Sequence, residues 1–130
     1  MNTESAGNMC VNGVHSGMVW ITVVETKAFS SQAKGRLTDE EVSALTTMLA
    51  REPDCGVVIP GTGGLRKVRI GVQGRGKRGG ARVIYYFHNE TLPIFLLAVF
   101  AKNEKADLTA DERASMAKVA EAIRAGYRRR

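Results

Sequence analysis

The alternation of apolar and polar residues in the first half of the chain predicts one strand followed by helices. Val19–Val24 is β-branched and aromatic, which is typical of a strand, and residues 25–34 are compatible with a short helix. A firmer helix is predicted over Thr38–Glu52, because Thr38 and Glu41 have the spacing of a capping box and apolar residues recur at helical intervals.

The second half predicts three strands and a closing helix. Leu65–Ile70 alternates in polarity, Arg82–Phe87 is β-branched and aromatic, and Ile94–Phe100 is apolar on both faces. Thr109–Tyr127 repeats the capping box and carries an apolar stripe. The order β-α-α-β-β-β-α predicts an α+β fold, in which a small antiparallel sheet is covered by helices on one face.

The length of 130 residues suits one domain. Residues 1–17 are rich in Asn, Gly and Ser and predict a flexible tail, whereas 18–130 form the folded domain. The longest apolar run, Pro93–Ala101, is too short to span a membrane, and the polar N-terminal residues lead us to expect no signal peptide. Cys10 and Cys55 lack the spacing of a disulfide framework or of a zinc site. We therefore expect a cytoplasmic protein with reduced thiols.

Positive charge is concentrated in one part of the chain. The formal net charge is +6, and residues 61–82 contain seven Lys and Arg with no acid. Lys67 and Arg69 lie two apart on a predicted strand, so their side chains share a face about 7 Å apart. Arg82 opens the next strand, and the glycine-rich loop between the two strands adds Arg75, Lys77 and Arg78. Such an array suits phosphate, which arginine binds in a bidentate manner.

A cationic site of this kind has the chemistry needed to cleave RNA. RNA carries its own nucleophile, the 2′-hydroxyl, and fixed cations stabilise the charge that develops on phosphorus. Crowding by arginines favours the neutral amine of Lys67, which can then act as a base. Tyr86, on the face of Arg82, can stack a base or transfer a proton. The chain shows no metal-ligand spacing, and the loop matches no nucleotide-binding signature, so we expect neither metal nor cofactor.

Three segments carry a resemblance to a known family. They are residues 61–69 (GTGGLRKVR), 76–87 (GKRGGARVIYYF) and 101–108 (AKNEKADL). At these residues the sequence resembles the RelE/ParE superfamily of toxins from type II toxin–antitoxin systems, in particular its HigB-like branch. The resemblance extends over roughly residues 18–126 and fits the RelE-like order of elements.

The resemblance implies a ribosome-dependent mRNA interferase, an endonuclease that enters the ribosomal A site and cuts mRNA through attack by the 2′-hydroxyl. The family's cationic catalytic pair falls on Lys67 and Arg69, and its third-strand arginine falls on Arg82. A further basic position falls near Lys102 or Asn103, and the family's tyrosine position is occupied here by Thr109. The expected catalytic residues are Lys67, Arg69, Arg82, Tyr86 and Lys102, with Lys67 as the preferred general base and Tyr86 in reserve. The expected RNA-binding residues are Arg66, Arg75, Lys77, Arg78 and Asn103.

The resemblance also implies partners, and it leaves two alternatives open. The expected partners are the ribosome, mRNA and a cognate antitoxin, often a helix-turn-helix protein that masks the basic face. One alternative is a ParE-like inhibitor that binds DNA gyrase, although such members generally lack the cationic set found here. The other is an RNA-binding module without cleavage, for which binding would depend steeply on salt but yield no product.

Overall fold

A computed structural model describes residues 21–71, 80–101, 104 and 107–128. The predicted tail, residues 1–17, lies outside the described residues. The strands are β1 (Val23–Glu25), β2 (Val57–Val58), β3 (Leu65–Ile70), β4 (Ala81–Tyr86) and β5 (Ile94–Ala101). The helices of the described part are α1 (Lys27–Ala33), α2 (Asp39–Arg51) and α3 (Ala110–Arg128).

The strands form one sheet in the order β1-β5-β4-β3-β2. The predicted α+β class is confirmed, and β3, β4 and β5 form the expected antiparallel meander. The sheet differs from the prediction at its two edges, because β1 pairs with β5 in parallel and a two-residue strand, β2, pairs with β3. Parallel pairing requires a long crossover between the strands, and here the whole chain between β1 and β5 provides it.

Helices cover both faces of the sheet, so the expectation of one covered face is wrong. The α1 and α2 side holds one core cluster, formed by Ile21, Phe29, Ala33, Leu45, Leu49, Ala81, Val83, Tyr85, Ile94, Leu96 and Val99. The α3 side holds a second cluster, formed by Ile59, Leu65, Ile84, Tyr86, Leu97, Ala98, Phe100, Leu108 and Ala120. Because β4 and β5 send apolar side chains to both faces, each face must be covered to exclude water.

Capping boxes begin the two long helices at the residues that the sequence predicts. The Thr38 hydroxyl accepts from the Glu41 amide at 3.0 Å, and the Glu41 carboxylate accepts from the Thr38 amide at 2.8 Å. Thr109 and Glu112 make the same reciprocal pair, at 3.1 Å and 2.9 Å. The start of α3 is therefore set by local hydrogen bonds that satisfy its first backbone donors. Within the described residues, no helix is long and apolar enough to cross a membrane.

Candidate functional site

Three of the predicted catalytic cations lie on the α3 side of the sheet. In the β3–β4 register Arg69 is directly opposite Arg82, and Lys67 is opposite Ile84. Residues directly opposite each other in an antiparallel pair have Cβ atoms about 5 Å apart. The side chains of Arg69 and Arg82 therefore leave the sheet close together. Lys67 and Arg82 are half-buried, whereas Arg69 is exposed. The shared face that the alternating pattern predicts is the face on which α3 packs.

Lys67 forms an ion pair that the sequence analysis did not foresee. Its Nζ lies 3.2 Å from Oδ2 of Asp107, and the two side chains are 29% and 46% exposed. The other carboxylate oxygen of Asp107 accepts the Leu108 amide at 2.8 Å. This backbone hydrogen bond, and then Lys67 and Arg82, lower the pKa of Asp107 below its ordinary value. An anion therefore lies among the three cations.

Arg82 has a donor without an acceptor. Its Nε is buried, and it has no hydrogen-bond partner among the described residues. A buried N–H without a partner is costly, and in a native protein such a group is often explained by a ligand or by ordered water. The Nε is closed to solvent in this structure, so it can donate to an anionic oxygen on the α3 side only after the side chain shifts.

Arg113 presents the same feature from the helix. Its Nε is also buried without a partner in the described part of the chain. Arg113 lies three residues before Met116 and seven before Ala120, both of which pack in the α3-side cluster, so it belongs to the sheet-facing side of α3. The sequence analysis missed this arginine because it followed only the apolar side chains of the last helix; the helical spacing back from Met116 was the available signal.

Tyr86 shares the face of Arg82 but lies beneath α3. Its side chain is fully buried, and its hydroxyl accepts a hydrogen bond from Nη1 of Arg124 at 3.1 Å. Gly64 has a φ of +122°, and a Cβ there would lie 2.9 Å from Cε1 of Tyr86, so glycine lets the ring pack closely. These contacts favour a role for Tyr86 in placing α3 on the sheet.

Arg66 lies on the opposite face from the other site cations. Its Nη1 donates to the carbonyls of Asp54, at 3.1 Å, and Gly56, at 2.7 Å. The guanidinium also lies over the ring of Phe87, 5.9 Å from its centroid. The structure therefore does not bring this predicted RNA-binding residue together with Lys67, Arg69 and Arg82.

The other predicted site residues, Arg75, Lys77, Arg78, Lys102 and Asn103, lie outside the described residues. Glu104, which follows Asn103 in the sequence, is described, and hydrogen bonds hold its side chain in place. Its carboxylate accepts the Ala101 amide at 2.7 Å and binds Arg36 through both oxygens, at 2.9 Å and 2.7 Å. The hydrogen bonds that Arg36 donates to Glu104 raise the pKa of Arg36. This contact joins the turn after α1 to the chain that follows β5.

The described site is cationic, with one carboxylate. No group of three or more His, Cys, Asp or Glu side chains in residues 21–71, 80–101, 104 and 107–128 is arranged to hold a metal ion. Lys67, Arg69 and Arg82 can supply charge and hydrogen bonds to a phosphate, and in the described part of the chain the Nε of Arg82 has no acceptor. The arrangement can bind a phosphodiester and stabilise additional negative charge on it.

Comparisons with known proteins identify the family and agree with the fold. A family model described as the RelE toxin of the RelE/RelB toxin–antitoxin system matches residues 21–129. A solved structure of the E. coli toxin RelE, a double arginine-to-alanine mutant in the free state, is similar with a TM-score of 0.53. The match has 13% sequence identity and covers 75% of this chain and 97% of that chain. At this identity the structural likeness supports the fold alone.

Proposed function

The chain belongs to the RelE toxin family of toxin–antitoxin systems, and from this premise we propose that it is an endoribonuclease that cleaves mRNA on the ribosome. The observation that carries the proposal is the group of Lys67, Arg69 and Arg82 on one face of the sheet, where the buried Nε of Arg82 has no acceptor among the described residues. We place the protein in the cytoplasm and in the HigB-like branch, on the resemblance of its three motif segments.

Cleavage at this site would use the RNA's own 2′-hydroxyl. The 2′-oxygen forms a bond to phosphorus, the bond from phosphorus to the 5′-oxygen breaks, and the products are a 2′,3′-cyclic phosphate and a 5′-hydroxyl. The 2′-hydroxyl gives up its proton and the leaving 5′-oxygen takes one. Arg69 and Arg82 bind the non-bridging oxygens, whose charge grows as the fifth bond to phosphorus forms. The ribosome holds the mRNA, so a small protein needs to supply only the cationic face.

The proposed partners are the ribosome, mRNA and a cognate antitoxin. The name of the matching family pairs the toxin with a RelB antitoxin. We propose that an adjacent gene encodes the antitoxin of this chain and that this antitoxin is a helix-turn-helix protein. Lys102, Asn103 and the loop cations Arg75, Lys77 and Arg78 are proposed to extend the RNA-binding surface. Tyr86 is kept as a reserve proton-transfer group, although its burial favours a structural role.

The test is induced expression followed by mapping of mRNA ends by primer extension. We expect growth arrest with new 5′ ends inside translated messages. Arg82→Ala and Lys67→Ala should reduce cleavage by about 100-fold or more, the range seen when one group that stabilises developing charge is removed. Lys34→Ala is the matched control, because Lys34 is exposed on the α1 side of the sheet and should leave cleavage unchanged.

Two results would contradict the proposal. Growth arrest with intact translated mRNA would exclude cleavage as the cause of toxicity. Inhibition of DNA gyrase supercoiling by the purified protein, unchanged in Arg82→Ala, would instead indicate a gyrase-binding toxin.

A further inference from the structure

A chain of hydrogen bonds runs from α1 to the connection between β5 and α3. It passes from Gln32 through Arg36 to Glu104. Arg36 belongs to the turn after α1, which packs on the other face of the sheet from Lys67. We propose that Arg36 is a positioning residue: by holding Glu104, it fixes the connection that enters the site at Asp107. The inference rests on the proposed function of that site.

The outer edge of β5 is completed by side chains where its pairing with β1 ends. The register of β1 with β5 stops at Leu96. Beyond it, the Val99 amide donates to Oε1 of Gln32 at 3.0 Å. The Ala101 amide, at the end of the strand, donates to Oε1 of Glu104 at 2.7 Å. Backbone donors at the edge of a sheet need acceptors, and these two side chains provide them.

Arg36 connects these two acceptor residues through three donors of one guanidinium. Its Nη1 donates to the Gln32 carbonyl at 2.8 Å, and its Nε and Nη2 donate to the two Glu104 oxygens at 2.9 Å and 2.7 Å. The side chains of Arg36 and Glu104 are 32% and 42% exposed, and an ion pair at the surface adds little to stability by itself. Two parallel hydrogen bonds nevertheless fix the direction of the carboxylate. The contact is therefore better suited to placing Glu104 than to stabilising the fold.

The connection from Glu104 to the site is short. Asp107 lies three residues later, and its Oδ2 is 3.2 Å from Nζ of Lys67. Leu108 follows, is 6% exposed and packs in the α3-side cluster. Three residues reach at most about 11 Å, so the position of Glu104 limits where Asp107 and the start of α3 can lie. A displacement of about 1 Å in a site, caused by a distant substitution, can lower a rate by about 100-fold.

The first experiment measures kcat and KM for mRNA cleavage on programmed ribosomes with purified protein. We expect Arg36→Ala to lower kcat by about 10-fold to 100-fold with KM nearly unchanged, because Arg36 positions the connection and does not bind RNA. Arg36→Lys should restore part of the activity, since its ammonium can still bind the carboxylate. Lys34→Ala is the matched control. It removes the same charge from an exposed side chain two residues earlier and should leave both constants unchanged.

A double variant tests whether Arg36 acts through Glu104. Glu104→Ala should also lower kcat, and adding Arg36→Ala to it should cause little further loss, because residues that act as one unit are not additive. Losses that multiply in the double variant would overturn the proposal. It would also be overturned if Arg36→Ala matched the wild type, or if that variant raised KM alone, which would indicate direct binding of RNA.

The second experiment does not depend on cleavage. Amide hydrogen exchange in the purified free protein follows Leu108, whose amide donates to Asp107 at 2.8 Å. Amides of the central strand β4 are followed beside it, because they report unfolding of the whole domain. In Arg36→Ala we expect exchange to be several-fold faster at Leu108 and unchanged in β4, whereas Lys34→Ala should match the wild type at both places.

Two results of the exchange experiment would refute the positioning role. One is an unchanged rate at Leu108 in Arg36→Ala. The other is acceleration by the same factor at Leu108 and in β4, which would mean that Arg36 only stabilises the fold. Faster exchange confined to Leu108, combined with a wild type that cleaves no RNA, would refute the proposed function and leave the positioning of the connection intact.

Discussion

Two adjacent tyrosines in β4 stabilise the packing on opposite faces of the sheet. Tyr86 supports α3 through Arg124, whereas Tyr85 points into the cluster beneath α1 and α2. The Tyr85 hydroxyl donates to the Pro53 carbonyl and accepts from the Gly56 amide, both at 2.8 Å. Gly56 has no room for a side chain, because a Cβ there would lie 2.7 Å from that hydroxyl. The turn before β2 is thus fixed to the centre of the sheet.

Tyr85→Phe should lower the free energy of unfolding by about 1–3 kcal/mol, because the buried Gly56 amide loses its acceptor. Urea denaturation at pH 7 measures the loss. Tyr86→Phe is the comparison, since Arg124 keeps the Gly63 carbonyl and Glu121 as partners, and we expect a smaller loss there. Equal losses in the two variants would contradict the special position of Tyr85.

The variant Tyr85→Phe should also change how the free energy of unfolding depends on pH. Burial, followed by the nearby Cys55, raises the pKa of Tyr85 above its ordinary value of 10.0. The unfolded chain therefore releases this proton at lower pH than the folded chain does, so the contribution is complete below pH 10 and is lost as pH rises above it. We expect stability to fall less steeply above pH 10 in Tyr85→Phe than in the wild type.

At the scale of elements, α3 connects the site to the rest of the sheet. Its N-terminal end adjoins Asp107, which contacts Lys67, and its C-terminal half is bound through Arg124 to the Gly63 carbonyl and the Tyr86 hydroxyl. The helix therefore spans from the middle of β3 to the turn that precedes it. A change in the position of α3 would move the carboxylate that faces Lys67.

Thr109→Ala should destabilise the protein by about 1 kcal/mol, because it removes the acceptor of the Glu112 amide at the start of α3. Thr109→Ser keeps the hydroxyl and is the matched control, and we expect it to leave stability unchanged, because serine is at least as good an N-cap as threonine. Thermal or urea denaturation of the three proteins provides the measurement. A loss of RNA cleavage in Thr109→Ser without loss of stability would point to chemistry at this position beyond capping.

Sequence patterns predicted the elements whose causes are local. The strands β3, β4 and β5 and both capping boxes follow from alternation, apolar runs and spacing within a few residues. The parallel pairing of β1 and the short strand β2 depend on contacts between distant parts of the chain, so no local pattern indicates them. The covering of both faces was foreseeable from the apolar character of β5, because a strand buried on both sides needs two covering layers.

For the site residues, too, local sequence predicted some positions and not others. The shared face of Lys67, Arg69 and Arg82 follows from the period of a strand and a short connection. The pairing of Lys67 with Asp107 joins residues 40 positions apart, and it depends on where α3 crosses the sheet. Local sequence could place Asp107 before a helix, but it could not place it against a particular lysine.

At the scale of the whole molecule, three cations of the proposed site lie on one side of the sheet. The chain carries a net charge of +6, and Lys67, Arg69 and Arg82 are all on the α3 side. A surface of this kind attracts polyanions and releases their counterions on binding. Binding of RNA should therefore weaken steeply as salt increases.

Arg69→Ala should reduce the slope of log K against log salt by about 0.7 for a short single-stranded RNA, the value expected when one phosphate contact is lost. Lys34→Ala removes the same charge from the α1 side and should leave the slope unchanged. Fluorescence anisotropy between 50 and 300 mM salt, about a sixfold range, is sufficient for the comparison. Equal slopes in the wild type and Arg69→Ala would place the RNA elsewhere on the protein.

The pairing of β1 with β5 has a consequence for synthesis of the chain. The Thr26 hydroxyl, just after β1, donates to the Leu96 carbonyl, 70 residues later. A growing chain emerges from its N-terminus, so β1 must wait until β5, about 70 residues later, has been made before it finds its neighbour. The sheet cannot close until β5 has left the exit tunnel, and Asp107 and α3 emerge later still. The complete group of cations and carboxylate therefore assembles only after α3 has left the exit tunnel.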